Sequence, residues 1–298
     1  MARKRLDRLI AVIIAISTII FIGFIIMIVW GISDRDGGGM ELSHGSKVAV
    51  VDLFGVIYDS RDVVWQFEKY RKDKSIKAIV FHINSPGGGV AASQEIYEAV
   101  KFVRDSGKPI VASMSSVAAS GGYYAALGAS RIMANPGTTT GSIGVIAEFP
   151  NFSGLLSKIG VDYTIIKSGE FKDTGNPYRD LTPKERKYLQ GWIDDAYQQF
   201  LTTVATARQK PVDEIRPYAN GRVFTGSQAF NNGLIDTLGT FRDAVKLAAA
   251  LGGIKGEPKL VKKRKKRRVT FFDLLFQDVS RFLPEQGAYP KLKYQWSF

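Results

Sequence analysis

Residues 76–103 read IKAIVFHINSPGGGVAASQEIYEAVKFV. Ile76 to Ile83 is a short, β-branched apolar run, three glycines follow, and within Ala92 to Val103 the apolar residues Ile96, Val100 and Val103 recur at helical spacing. A strand, a glycine turn and a helix in that order form the repeating unit of a layered α/β domain. The alternation continues outward. Lys47 to Leu53 predicts an earlier strand, Pro109 to Met114 a later one, and a further strand is expected to end at Lys167. Thr182 to Ala207 predicts one long amphipathic helix, with Thr182 and Glu185 as a capping box and Pro183 at its first position. Arg242 to Leu251 reads as the last helix, which sets an α/β domain over residues 47–256.

The flanks differ in character. Leu9 to Ser33 contains 25 consecutive uncharged, mostly bulky apolar residues. A helix of that length reaches roughly 37 Å against a hydrocarbon core of about 30 Å, and the run is too long for the apolar region of a cleaved signal peptide. It predicts a retained transmembrane anchor at residues 9–33. Arg3, Lys4, Arg5 and Arg8 outweigh the mixed flank Asp34, Arg35 and Asp36, which places residues 1–8 in the cytoplasm and everything after Ser33 outside it. Residues 34–46, Gly-rich from Gly37, read as a linker. The tail, residues 257–298, carries the basic run Lys262 to Arg268 and then Phe272, Leu275, Phe276, Val279 and Leu283 spaced three or four apart. That pattern suits an amphipathic helix on anionic lipid, or a helix packed on the domain or a neighbouring subunit.

Charge and cysteine content exclude several classes. The net charge of +13 is local: Lys262 to Arg268 supplies seven and Ala2 to Arg8 a net three, leaving +3 for the rest of the 298 residues. Two patches of that kind argue against a nucleic-acid reader and for membrane-proximal electrostatics. The absence of cysteine removes a thiol nucleophile, a disulfide scaffold and Cys-ligated zinc.

Three loops follow predicted strands: Asn84 to Gly89, Ala118 to Tyr124 and Thr140 to Gly144. The first can aim free backbone N–H groups at an anion or a developing oxyanion. It is not a phosphate loop, because Gly89 is followed by Val90 and Ala91 rather than Lys and Ser/Thr. Ser120 sits where a short helix begins, so it reads both as an N-cap and as an exposed nucleophile. In the second reading the N–H of Gly121 and one from Gly87 or Gly88 form an oxyanion hole. The histidines are His44, in the linker, and His82, inside an apolar strand, and none follows Ser120. A lysine with a lowered pKa is then the remaining base. Composition leaves open which lysine, with Lys167 and Lys172 both downstream. Nucleophile, base and oxyanion donors all come from protein groups, so neither a metal nor an organic cofactor is expected.

Ser85-Pro86-Gly87-Gly88-Gly89, Ala118-Ala119-Ser120-Gly121-Gly122-Tyr123-Tyr124 and Thr140-Gly141-Ser142-Ile143-Gly144-Val145, followed by Lys167-Ser168-Gly169-Glu170-Phe171-Lys172-Asp173, resemble the signal peptide peptidase A family, also called protease IV. The resemblance covers roughly Lys47 to Leu251. It implies the spiral α/β fold shared by Clp protease and crotonase, in a single-domain form, and a serine endopeptidase that works through a Ser-Lys dyad. It assigns Ser120 as nucleophile, Lys172 as general base and Ser142 as the hydroxyl orienting the lysine amine. Gly87 and Gly121 become the oxyanion donors, with Gly88 as the alternative to Gly87. It also implies a dome-like homo-oligomer of eight in which Ser and Lys meet across a subunit boundary, and extended substrates such as remnant signal peptides. The competing readings are a membrane protease that trims a stomatin-like partner, an acyl-CoA hydratase or isomerase on the same fold, and a membrane scaffold in which Ser120 is only a cap.

Overall fold

The computed structural model describes residues 46–263 and 293–295, together with Thr18, Phe21 and Ile22. Apart from those three residues the expected anchor lies outside the described residues, as do the cytoplasmic flank, nearly all of the linker, and the amphipathic pattern from Phe272 to Leu283. Among the described residues no helix is long and apolar enough to cross a membrane.

In chain order the elements are β1 (Lys47–Phe54), α1 (Arg61–Lys72), β2 (Ile76–Ser85), β3 (Gly87–Gly89), α2 (Val90–Asp105), β4 (Ile110–Ala119), α3 (Gly121–Ala126), β5 (Arg131–Ala134), β6 (Thr139–Gly141) and α4 (Ser153–Lys158). Then follow α5 (Pro183–Arg208), α6 (Val212–Ile215), a 3₁₀ turn (Arg216–Tyr218), β7 (Val223–Thr225), α7 (Gly226–Asn231), β8 (Thr237–Leu238), α8 (Phe241–Leu251), β9 (Lys259–Lys262) and β10 (Lys293–Gln295). One sheet runs β7-β6-β4-β2-β1-β9, with β5 beside β4 and β8 beyond β5. Its pairs are parallel except β6 with β7.

The strands are apolar on both faces because both faces are covered. With the two-residue period of a strand, Ala49, Val51, Leu53, Ile79, Phe81 and Ile83 point into one core with Phe67, Ile96, Tyr123 and Phe200 from the helices. The alternate residues Val48, Val50, Ala78, Val80 and Val111 meet Ala244 and Ala248 of α8 on the other. Predicted and observed strands agree within two residues for β1 and β2, and α5 begins at the expected capping box. There Thr182 Oγ1 accepts the Glu185 N–H at 3.2 Å and Glu185 Oε2 accepts the Thr182 N–H at 2.9 Å.

Two expectations change. β4 runs to Ala119 rather than Met114, because after an irregularity in its pairing with β2 it continues through Val117–Ala119 against β6. The strand expected to end at Lys167 does not form: residues 161–167 carry no regular structure, and Ile166 is 97% exposed. Strand composition alone does not make a strand where no neighbouring strand offers a ladder. At the other end, β9 adds to the sheet edge beside β1, and Lys262 and Lys263 of the basic run dock on the domain. Lys262 Nζ pairs with Asp52 at 2.5 Å, and Lys263 pairs with Asp62 and lies over the Trp65 ring.

Candidate active site

The extended β4 delivers the chain to Ser120. In the β4–β6 ladder Ala119 stands opposite Gly141, so the next residues, Ser120 and Ser142, emerge side by side. Backbone bonds fix both: the Ser120 N–H donates to the Gly141 carbonyl at 2.8 Å, and the Ser142 N–H donates to the Arg222 carbonyl at 2.9 Å. Ser120 has φ 52° and ψ −116° and Ser142 has φ 51°, both in the positive range that side-chain-bearing residues seldom occupy. Ser120 does occupy the N-cap position of α3, but its hydroxyl makes no bond to the helix. The group is left for the cavity it lines. That cavity, about 520 Å³, is shared by Ser120 and Ser142 and walled by Ile143 to Ile146, by Ile193, Asp194 and Tyr197 of α5, and by Ala219 to Gly221.

Beside it lies the glycine strand. Ile57 bridges β3 on one edge, its N–H donating to the Gly87 carbonyl and its carbonyl accepting the Gly89 N–H, each at 2.8 Å. The alternation of a strand then turns the N–H and carbonyl of Gly88 to the opposite edge. On that edge β10 pairs antiparallel, with Tyr294 opposite Gly88, and β3 and β10 both contact α3. A Cβ at Gly88 would lie 2.2 Å from the Ile57 carbonyl oxygen, and one at Gly122 would lie 2.8 Å from the Ser85 carbonyl oxygen. Close backbone approach, which the triple glycine suggests, is therefore what the glycines provide. The Gly87 N–H donates to Ser85 Oγ at 3.1 Å, and the Gly121 N–H, first in α3, has no acceptor within its helix.

Lys172 is not brought to this cavity. It sits in the turn after Gly169, its side chain exposed and its amine without a partner among the described residues. Its neighbours are tightly held. Arg179 uses all five N–H donors: Nε to Asp173 Oδ2 at 2.8 Å, Nη1 to Glu185 Oε2 at 2.8 Å and the Asp180 carbonyl at 2.9 Å, and Nη2 to Glu185 Oε1 at 2.5 Å and the Asp173 carbonyl at 3.3 Å. Lys167 Nζ takes Asp173 Oδ1 at 2.5 Å. The Arg179 guanidinium holds the Glu185 carboxyl down at about 2 and, with Lys167, holds Asp173 well below the usual carboxylate range.

A carboxylate with a depressed pKa contributes stability above its ordinary value, and that contribution is lost as protons are added. Stability is therefore expected to fall as pH drops from 4.5 toward about 2, the range of the Glu185 shift. Thermal unfolding at stepped pH checks this. Glu185→Gln should be less stable at neutral pH and show a flatter acid limb.

His82 does not line the cavity. Its ring lies between those of Phe54 and Phe241 with Nδ1 3.4 Å from Asp52, and burial lowers its pKa. His44 lies outside the described residues. Sequence reasoning missed Ile193, Asp194 and Tyr197 as cavity walls, although the helical spacing of Ile193, Tyr197, Phe200, Leu201 and Val204 was a usable sign of the inward face. The Asp173–Arg179–Glu185 network carried no such periodic signal.

Known protein families match this chain. Residues 56–145, from the bridge at Ile57 through both serines, match the Clp protease family. Residues 103–255 match peptidase family S49. The molecule is thus a serine peptidase on a Clp-protease-like α/β domain. More narrowly, the chain belongs to peptidase family S49, the family of signal peptide peptidase A and protease 4. A Synechocystis sp. protein named as a protease is 45% identical over 215 residues, 72% of this chain and 77% of its own. A protein of Enterococcus faecium named as a signal peptide peptidase SppA is 38% identical over 68% of this chain and 57% of its own. Protease 4 of Salmonella typhi is 38% identical over 71% of this chain, which spans 35% of that longer protein.

Proposed function

We propose that this chain is a membrane-bound serine endopeptidase that cuts extended peptides, remnant signal peptides among them, with Ser120 as nucleophile and Lys172 as general base. The observation that carries the reading is the pairing of residues 293–295 with Gly87–Gly89. A stretch of extended backbone adds edge-on to the glycine strand beside Ser120, which is how a peptidase holds an unfolded substrate by its main chain. Side chains of such a substrate then fall alternately toward the cavity, whose Ile143, Val145, Ile146 and Ile193 suit apolar residues of the kind that fill signal peptides.

The chemistry is acyl transfer. Neutral Lys172 takes the proton from Ser120 Oγ, which attacks the scissile carbonyl. The N–H groups of Gly121 and Gly87 receive the oxyanion, the latter turning from Ser85 Oγ, while Gly88 pairs with the substrate strand. The ammonium then protonates the leaving amine, and water, activated by the same lysine, releases the acyl group and regenerates Ser120. Ser142, beside Ser120 in the cavity, orients the amine. The uncharged run Leu9 to Ser33 tethers the domain outside the cytoplasm, at the membrane where such peptides are released.

The lysine arrives from a neighbouring subunit. Lys172 is exposed and away from the Ser120 cavity of its own chain, and Phe152, Leu155, Ile159, Val161 and Ile166 expose apolar surface just upstream of it, as an uncovered subunit contact would. Mixing Ser120→Ala with Lys172→Ala chains during assembly tests this. Each variant alone is expected to be inactive, and the mixture to regain cleavage at about one interface in four. No recovery from a mixture shown to co-assemble would sink the shared dyad.

A further inference from the structure

Asp173 and Glu170 in the turn of Lys172, and Glu185 at the start of α5, are each held by another cation. Asp173, its immediate neighbour, has Oδ1 on Lys167 at 2.5 Å and Oδ2 on Arg179 at 2.8 Å, and its side chain is 10% exposed. Glu170 pairs with Lys184 of α5 at 3.0 Å. Glu185 of α5, 3% exposed, is held by Arg179 and the Thr182 cap. On the other side the Phe171 ring packs at a tilt against Tyr188 of α5 with ring centroids 5.1 Å apart. Both residues flanking Lys172 are thus anchored through their side chains, while its own amine is bound to nothing among the described residues.

From this arrangement we propose that Arg179 and Lys167 are positioning residues for Lys172: by occupying both oxygens of Asp173 they fix the turn and keep the adjacent carboxylate from capturing the Lys172 amine. Among these six groups the charges of Lys167, Arg179 and Lys184 balance those of Glu170, Asp173 and Glu185. Were Asp173 free, its reach to a lysine one residue away would create an ion pair that stabilises the ammonium. A general base must be neutral to act, and an opposite charge at contact distance favours the charged form. The inference rests on the reading of Lys172 as the base.

The test is the pH dependence of kcat/KM for a signal-peptide-like fluorogenic peptide, measured on the full-length protein in detergent. Arg179→Gln is expected to move the acid limb upward by about one pH unit, a roughly tenfold loss at pH values on that limb, with less loss on the alkaline plateau. Arg179→Lys should recover part of the shift. Adding Asp173→Asn to Arg179→Gln should reverse most of it, because the adjacent carboxylate is then gone and Glu185, the other acid that Arg179 releases, stays bonded to Thr182. Lys167→Met, which leaves Glu185 and the helix cap untouched, should move the limb in the same direction if Arg179→Gln fails to fold. A purely structural role would lower activity at every pH without moving the limb. The inference is overturned if the folded variants keep the wild-type limb, or if Asp173→Asn fails to restore it. A Lys172→Ala protein that still cleaves would instead overturn the dyad, so the two failures read differently.

Discussion

Replacing Ser120 by alanine is expected to lower peptide cleavage by at least about a thousandfold while leaving the unfolding temperature close to that of the wild type. The two halves of that expectation come from one observation. The Ser120 hydroxyl makes no hydrogen bond to α3, and the residue is held instead by its backbone, through the Gly141 carbonyl on one side and the Tyr124 N–H on the other, each at 2.8 Å. Alanine retains both bonds and removes only the oxygen. A cap serine would behave in the opposite way, costing about 1 kcal/mol of stability with no chemical penalty. Cleavage assays and thermal unfolding on the same preparation separate the two, and undiminished cleavage would end the assignment of Ser120 as nucleophile.

Gly88→Ala is expected to have the second largest effect, acting on stability and activity together. Its Cβ would stand 2.2 Å from the Ile57 carbonyl oxygen and 2.6 Å from the Ile57 nitrogen, and Ile57 cannot withdraw because it is buried and bonded to both flanking glycines of β3. Overpacking of this kind costs typically about 1–3 kcal/mol, and here the backbone that must move is the strand proposed above to pair with the peptide. Cleavage should fall by about a hundredfold or more, since misplacement of binding groups by an ångström has effects of that size. Gly191→Ala is the control. It lies inside α5 with nothing within 4 Å of the added carbon, and a helical Gly-to-Ala change is expected to stabilise by roughly 0.5–1 kcal/mol. Similar losses for both variants would refute the steric argument.

Much of the scaffold was legible because its signals are local. The β-branched runs at Lys47 and Ile76, the helical spacing in Ala92 to Val103 and the Thr182–Glu185 cap each depend on a few adjacent residues, and each appears where expected. What was illegible depends on partners far away in sequence. Ser115 and Ser116 interrupt the apolar run of β4, and only the ladder to β6 carries the strand past them to Ser120. Val161 to Ile166 has strand composition but joins no β-ladder among the described residues. For the candidate site, two of the glycine motifs marked loops that line the cavity, with Ser120 and Ser142 among them. The cavity walls on α5, some 70 residues downstream of Ser120, and the ion pairs around Asp173 are tertiary features that no motif encodes. The pairing of 293–295 on β3 was equally invisible, because a strand that short leaves no period to read.

The positive φ angles of Ser120 and Ser142 have a thermodynamic side. Side-chain-bearing residues held in such sparsely populated regions cost of order 1–3 kcal/mol each, and glycine would relieve part of that at either position. The fold therefore carries backbone strain at the two residues whose hydroxyls are proposed to act. Selecting variants for thermal robustness alone would favour glycine at residues 120 and 142 and discard the two oxygens facing the cavity. Stability and turnover in this peptidase are opposed at two identifiable backbone torsions, and both must be monitored when the domain is engineered.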